Sequence, residues 1–220
     1  AAMGLKSPTA HNLLRTLSFR GFVEKSSSPV RYRIGPGLSQ LAGLSAQREL
    51  LRRAEGLMLR LAHEMPGATI SFSEPSGTNV LQTMRVAPEG PPRLTHLQRR
   101  AVMSPYASAS ALAFQAFAAP ATIDAFRREH PFWEEAAALW SAPAKLEGFL
   151  DESRARGCVV AHFPGETLYK TAAPVYEPQG ELAALLGISY PAADVSERTR
   201  RNRMRRLMAA AKSISDRGDG

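Results

Sequence analysis

The chain has 220 residues, 44% of them hydrophobic and 22% charged, which excludes a disordered polyelectrolyte and allows a small domain plus a medium one with a real core. One cysteine, Cys158, excludes an internal disulfide and fits a reducing cytoplasm; no apolar run approaches the roughly 20 residues of a bilayer span, and Ala1–Lys6 has no signal-peptide core. The net charge of +8 is uneven: residues 1–45 hold six Lys/Arg against Glu24 alone, 46–193 hold 14 bases and 15 acids, and 194–217 hold eight bases and three acids. A basic head on a neutral body is what a phosphate-binding module joined to a separate domain requires.

Ser7-Pro8 predicts a helix start, since Ser accepts from free backbone N–H groups and Pro at the first helical position loses no hydrogen bond. Ala10, Leu13, Leu14 and Leu17 then fall at helical spacing as one buried face, and Gly21 ends the helix. Phe22–Lys25 predicts a short strand and Ser26-Ser27-Ser28-Pro29 a turn. Val30–Ile34 alternates apolar and basic residues, the pattern of a half-buried strand, until Gly35-Pro36-Gly37 breaks it. Residues 38–63 predict a helix, striped by Leu50, Leu51, Ala54, Leu57, Met58 and Leu61, whose first part links to a second domain.

From Ala68 the pattern changes to strands at Thr69–Ser73 and Asn79–Val86, then a Pro-rich loop over 87–98. Helices follow near 107–118, 121–128, 131–140 and 143–156. Strands near Leu168–Tyr176 and Glu181–Ser189 flank the turn Pro178-Gln179-Gly180, and the apolar run Ala183–Ile188 makes the second of them central. A final helix from about Asp194 carries Met204, Leu207, Met208, Ala211 and Ile214 on one stripe, and Asp216–Gly220 is expected to fray.

The polar face of the first helix carries Thr9, His11, Asn12, Arg15 and Thr16. Asn suits adenine and Arg suits guanine in the major groove, and the helix N-terminus at Ser7 and Pro8 can receive a phosphate. Arg31 and Arg33 lie two apart on a strand, so they share a face and can meet successive phosphates. Helix, glycine stop, strand, serine turn and basic strand within about 30 residues follow winged-helix order.

The run Leu5-Lys6-Ser7-Pro8-Thr9-Ala10-His11-Asn12-Leu13-Leu14-Arg15-Thr16-Leu17, then Arg20-Gly21-Phe22-Val23 and Arg31-Tyr32-Arg33-Ile34-Gly35-Pro36, resembles the DNA-binding domain of the IclR family of bacterial transcriptional regulators. Tyr106-Ala107-Ser108-Ala109-Ser110-Ala111-Leu112-Ala113 resembles that family's His-Ala-Thr-Ala-Ser-Gly-Lys-Ala segment. Arg156-Gly157, Ala172-Ala173-Pro174-Val175-Tyr176, Gly180 and Gly187-Ile188-Ser189 resemble its C-terminal pattern. The family has two helices before its recognition helix; Ala1–Leu5 corresponds to the tail of the second, and the first is expected to be absent from this chain. Tyr106 and Ala111-Leu112 depart from the family's His and Gly-Lys.

The resemblance implies an α+β chain: a winged helix-turn-helix over 1–37, a linker helix over 38–63, and an effector-binding and oligomerisation domain over 64–220 with a curved antiparallel sheet flanked by helices. It implies a homodimer, or a dimer of dimers, on a near-palindromic double-stranded operator, controlled by a small-molecule effector. It places Ser110, Ala111, Leu112, Lys170, Gly187 and Ser189 at the effector site. Lys170, if inward, would pair with a carboxylate, so an organic acid is expected; a surface lysine is the alternative. A winged-helix regulator of MarR-like class, with helices alone making the dimer, and an enzyme built on the second domain are the other readings. Cys158 and His162 lack an orienting third group. His11, His63, His96, His130 and His162 form no metal-ligand spacing, so neither metal nor cofactor is expected. The run Arg198–Arg206 reads as one face of a packed terminal helix, with nucleic-acid contact as its alternative. No membrane partner is expected.

Overall fold

The structure, a computed structural model, describes residues 7–27, 29–193 and 195–216, without the side chains of residues 7, 27 and 39–46. Expectations for Ala1–Leu5, the side chain of Ser7, Ser28, a helix start at Asp194 and residues 217–220 lie outside the described residues. Contacts group the chain into two compact units, Ala1–Arg52 and Arg53–Gly220.

The first unit contains helix α1 (Ser7–Phe19) and the hairpin β1 (Val23–Ser27) and β2 (Val30–Ile34), paired antiparallel with Glu24 opposite Arg33 and Ser26 opposite Arg31. α1 stops at Gly21, whose φ of 68° is open to glycine without strain, and the Phe22 N–H turns back to the Leu17 carbonyl at 2.9 Å. Two expectations need correction. Leu13 is 54% exposed, so the inward face of α1 is Ala10, Leu14, Leu17 and Ser18. Leu13 sits one position, about 100°, round the helix from Leu14, and the face is too narrow to hold both. β2 is exposed along its whole length, with Ile34 at 75%, because nothing among the described residues covers its apolar side.

Helix α2 (Pro36–Glu64) runs from the first unit into the second. In the second unit, Ala54, Met58, Leu61 and Ala62 of its C-terminal half are buried. The second unit is built on one antiparallel sheet ordered β5-β4-β3-β8-β7-β6. Its strands are β3 (Thr69–Ser76), β4 (Asn79–Val86), β5 (Leu94–Val102), β6 (Val159–Ala161), β7 (Leu168–Tyr176) and β8 (Leu182–Pro191). β8 lies between β3 and β7, and its continuous apolar run is explained by burial on both faces. Bulges at Phe72/Ser73, Gln82/Met84 and Val175/Tyr176 bend the strands.

Residues 94–102, of which 94–98 are expected as loop, form the edge strand β5. Its residues are almost all exposed, so the sequence shows no alternation, and only the ladder to β4 makes it a strand. The three-residue β6 was also not expected: it is buried, but three residues are too few to show a period.

Cross-strand partners share a face. One face carries Thr69, Ser71 and Ser73; Ser189, Gly187 and Leu185; Lys170 and Ala172; Ala161 and Val159. Against Leu185, Ala172, Val159 and Ala161 of this face pack α3 (Ala109–Phe117), α4 (Pro120–Glu129), α6 (Ala137–Trp140) and α7 (Pro143–Arg156), with α5 (Phe132–Glu135) joining at the rim. Fully buried Leu112, Phe114, Leu150 and Leu185 each contribute about 1.5–3 kcal/mol relative to exposure. Over the other face lies α8 (Glu197–Ser215), with Leu207, Ala210, Ala211 and Ile214 buried. Arg206 bonds Glu64 of α2, and Arg53 of α2 bonds the Asp216 carbonyl, so α8 is tied to the end of the long helix.

Candidate functional site

α1 presents Pro8, Thr9, His11, Asn12, Arg15 and Thr16 outward and exposed. The Thr16 hydroxyl donates to the Asn12 carbonyl at 3.0 Å, which leaves only its acceptor lone pairs for a ligand. In the hairpin, the Ser26 hydroxyl accepts from the Arg31 N–H at 3.2 Å and fixes the turn. Register places Arg31 and Arg33 on one face with Ser26 and Glu24. Arg33 forms an exposed ion pair with Glu24 at 2.5 Å, whereas Arg31 has no acidic partner among the described residues. The two cations therefore differ: Arg31 is free for an external anion, and Arg33 must share.

Gly35 and Gly37 close the hairpin back on the helix stop. The Gly35 N–H donates to Phe22 O and the Gly37 N–H to Gly21 O, both at 2.9 Å. A Cβ at Gly35 would lie 2.3 Å from the Gly21 carbonyl oxygen. The geometry of α1 against the hairpin rests on backbone meeting backbone there.

In the second unit, Ser108 caps α3 by accepting from the Ala111 N–H at 3.1 Å. That seats Ser110, Ala111 and Leu112 against the sheet, all buried. Gly187 and Ser189 lie on the facing strand, with Lys170 opposite Ser189 in register. So the six residues expected at an effector site share one side of the sheet. Sequence reasoning missed Ser71 and Ser73, which join them. The Ser73 hydroxyl donates to Ser110 Oγ at 3.4 Å, and a Cβ on Gly187 would meet Ser71 Oγ at 2.6 Å. Alternation of Ser71 and Ser73 along β3 was the available signal. Gly187→Ala is expected to cost about 1–3 kcal/mol in urea unfolding, and adding Ser71→Ala to recover most of it; additive costs would disprove the contact.

Lys170 is inward but not free. Its ammonium donates to Glu166 Oε1 and to the Ala107 carbonyl at 3.4 Å, and both charged side chains are about three-quarters buried (25% and 26% exposed). Glu166 Oε2 in turn accepts from the Phe163 N–H at 3.2 Å. Burial pushes the Glu166 carboxyl up, but the Lys170 and Phe163 hydrogen bonds outweigh it and hold the group below its usual range. Its folded pKa is lowered, so this pair stabilises the fold above the ordinary carboxylate pKa, and the contribution is lost as pH falls through the folded value. Glu166→Gln should therefore flatten the acid side of the stability curve and leave the neutral-to-alkaline shape unchanged, as read from denaturation midpoints between about pH 3 and 7.

The thiol of Cys158 is fully buried and pushed up to about 11 by desolvation, with Arg156 opposing weakly. His162 is exposed, with Nδ1 3.1 Å from the Leu168 carbonyl and its ring stacked on Tyr169. An inert thiol of this kind is not a nucleophile at neutral pH. It should resist Ellman's reagent at pH 8 and react fully only in denaturant; rapid labelling of the folded chain would contradict its burial. Among the described residues, no three His, Cys, Asp or Glu side chains gather as metal ligands, and no helix is long and apolar enough to cross a membrane. The arginines of α8 are mostly engaged, Arg201 with Glu197, Arg205 with Asn202, Arg206 with Glu64 and Arg203 over the Tyr190 ring, as a packed terminal helix requires.

Residues 43–216 match the family model "Bacterial transcriptional regulator IclR C-terminal". The chain is 29% identical over 199 residues to the HTH-type transcriptional regulator BhcR of Paracoccus denitrificans, covering 86% of this chain and 68% of that protein. Among solved structures it is similar to the Thermotoga maritima IclR, with a TM-score of 0.64, 18% identity and coverage of 97% and 86%. It is likewise similar to Pseudomonas aeruginosa HmgR, with a TM-score of 0.61, 23% identity and coverage of 96% and 84%. At these identities the structural matches establish the fold alone.

Proposed function

The chain belongs to the IclR family of bacterial transcriptional regulators, and on that premise we propose that its first domain binds duplex DNA under control of a small molecule held by the second. The domains are 1–37 for DNA, 38–63 as linker helix, and 64–220 for effector binding and oligomerisation. α1 enters the major groove with Thr9, His11, Asn12, Arg15 and Thr16; Ser7 and Pro8 meet a phosphate at its start; Arg31 and Arg33 lie on the backbone. A homodimer, or a dimer of dimers, presents two such helices to half-sites of a near-palindromic operator. The chain acts in the cytoplasm, as a regulator and not an enzyme, without metal or cofactor.

The observation that carries this reading is the exposed polar face of α1 followed directly by an exposed basic hairpin whose Arg31 has no acidic partner among the described residues. A MarR-like design fits poorly with a second unit built on a six-stranded sheet. Selection from a random duplex pool tests it: the chain should enrich a near-palindrome, and a pool that stays random after several rounds refutes the reading.

The effector is a small carboxylate at the α3 side of the sheet, where it exchanges with Glu166 for Lys170 and meets the hydroxyls of Ser71, Ser110 and Ser189. Glu166→Gln is then expected to tighten carboxylate binding on this side of the sheet by roughly 3- to 10-fold, in line with ~1 kcal/mol for a partly exposed ion pair, and Lys170→Ala to abolish it there. Calorimetry against a panel of organic acids reads both; two unchanged affinities reject Lys170 as the anchor.

A further inference from the structure

The opposite face of the sheet holds a polar cleft. Strand alternation turns Tyr169 and Thr171 of β7 and Tyr190 of β8 away from Lys170 and Ser189. They floor a cleft of about 350 Å³ walled by α7 and α8. Arg156 from α7 and Arg200 and Arg201 from α8 line it. Two of these cations have an acid at hand in the same wall: Arg156 lies 3.9 Å from Glu152, and Arg201 lies 3.1 Å from Glu197.

Arg200 has none among the described residues. Its guanidinium stacks 4.6 Å over the Tyr169 ring. Its Nε is buried and has no hydrogen-bond partner among the described residues. A guanidinium stacked by its face keeps its N–H groups in its own plane, where they make a fork for a carboxylate. A buried N–H almost always finds an acceptor in a folded protein, so an orphan on a cleft wall marks a place for one.

We propose that this cleft binds a small monocarboxylate, held in bidentate fashion by Arg200, with its apolar part against Phe149, Met204 and the tyrosine rings. Charge selects the monoanion: three guanidinium groups face two carboxylates, which leaves one positive charge to neutralise. Strands β7 and β8 lie between the cleft's tyrosines and the α3-side residues Lys170 and Ser189, and the inference does not rest on the effector reading above. The same helix carries Arg206, bonded to Glu64 at the end of α2, so a ligand that fixes Arg200 bears on the helix tied to the linker.

The test uses the full chain with labelled tyrosine rings, titrated with sodium benzoate, acetate and inorganic phosphate by NMR and calorimetry. Benzoate should shift the Tyr169 and Tyr190 signals and bind at least tenfold more weakly to Arg200→Met. Arg200→Lys, which keeps the charge and the helix but loses the fork, should also weaken it, and decides the matter if the methionine variant does not fold. Lys170→Met should leave the benzoate-induced shifts of Tyr169 and Tyr190 unchanged. The proposal fails if neither carboxylate shifts the tyrosines, if the Arg200 variants bind as the parent does, if Lys170→Met removes the tyrosine shifts, or if phosphate shifts them with as tight an affinity as benzoate.

Discussion

Arg15→Ala/Arg31→Ala is expected to bind selected duplex DNA roughly a hundredfold more weakly than the parent chain, with an unchanged unfolding midpoint. Both side chains are exposed and neither has an acidic partner among the described residues, so their removal leaves the fold intact. The two halves of the effect differ in kind. A bidentate arginine–guanine contact is worth about 1–3 kcal/mol of discrimination, so Arg15→Ala alone should relax preference at one position of each half-site. A phosphate contact carries no sequence information, so Arg31→Ala alone should weaken all sequences equally and lower the slope of log affinity against log salt by about one per contact. Arg33 should matter less, because Glu24 already holds it at 2.5 Å; Glu24→Gln, which releases Arg33, should strengthen binding modestly. Normal binding by the double variant would place the reading surface elsewhere.

Gly35→Ala should abolish DNA binding while leaving the second unit folded. The added Cβ would sit 2.3 Å from the Gly21 carbonyl oxygen and 3.1 Å from the Val23 nitrogen. These are backbone atoms at the helix stop and the start of the hairpin, so no rotamer relieves the clash, and the hairpin must move off the helix. Overpacking of this kind costs about 1–3 kcal/mol, which is large for a unit whose described elements are one helix, one hairpin and the start of α2. Hydrogen exchange should quicken in α1, β1 and β2 and stay slow in β7 and β8. Gly56→Ala is the control. Gly56 lies inside α2 with nothing near its missing Cβ, so alanine there should stabilise by roughly 0.5–1 kcal/mol. Equal effects from the two substitutions would show that the Gly35 contact does not hold the hairpin.

Elements whose signal is local were legible. Gly21 and Gly180 both adopt positive φ where a helix stop and a hairpin turn were expected. Leu207, Ala211 and Ile214 form the buried stripe of α8, although Met204 and Met208 on the same stripe are only half-buried at its edge. The six candidate effector residues, drawn from three separated segments, lie on one side of one sheet because residue spacing along each strand fixes the face and the family pattern fixed the positions.

Other features had no local signal. Nothing in Leu94–Val102 alternates, because an exposed edge strand needs a neighbour's hydrogen bonds and not an apolar face. Glu166 stands in a loop, and only the fold brings its carboxylate to Lys170 and turns a free cation into a shared one. Arg200 sits in a run of arginines that reads as one face of a packed terminal helix; it is distinguished by the tyrosine beneath it and by having no acidic partner among the described residues. By itself, then, the sequence determined the helix-and-hairpin order, the strand faces and the basic head, since each follows from propensity and period within a few residues. Only the tertiary structure decided which strand closes the sheet and which apolar residues stay bare, because those depend on groups brought together from far along the chain, and which nearby charges are compensated, because that depends on how loop and strand aim each side chain.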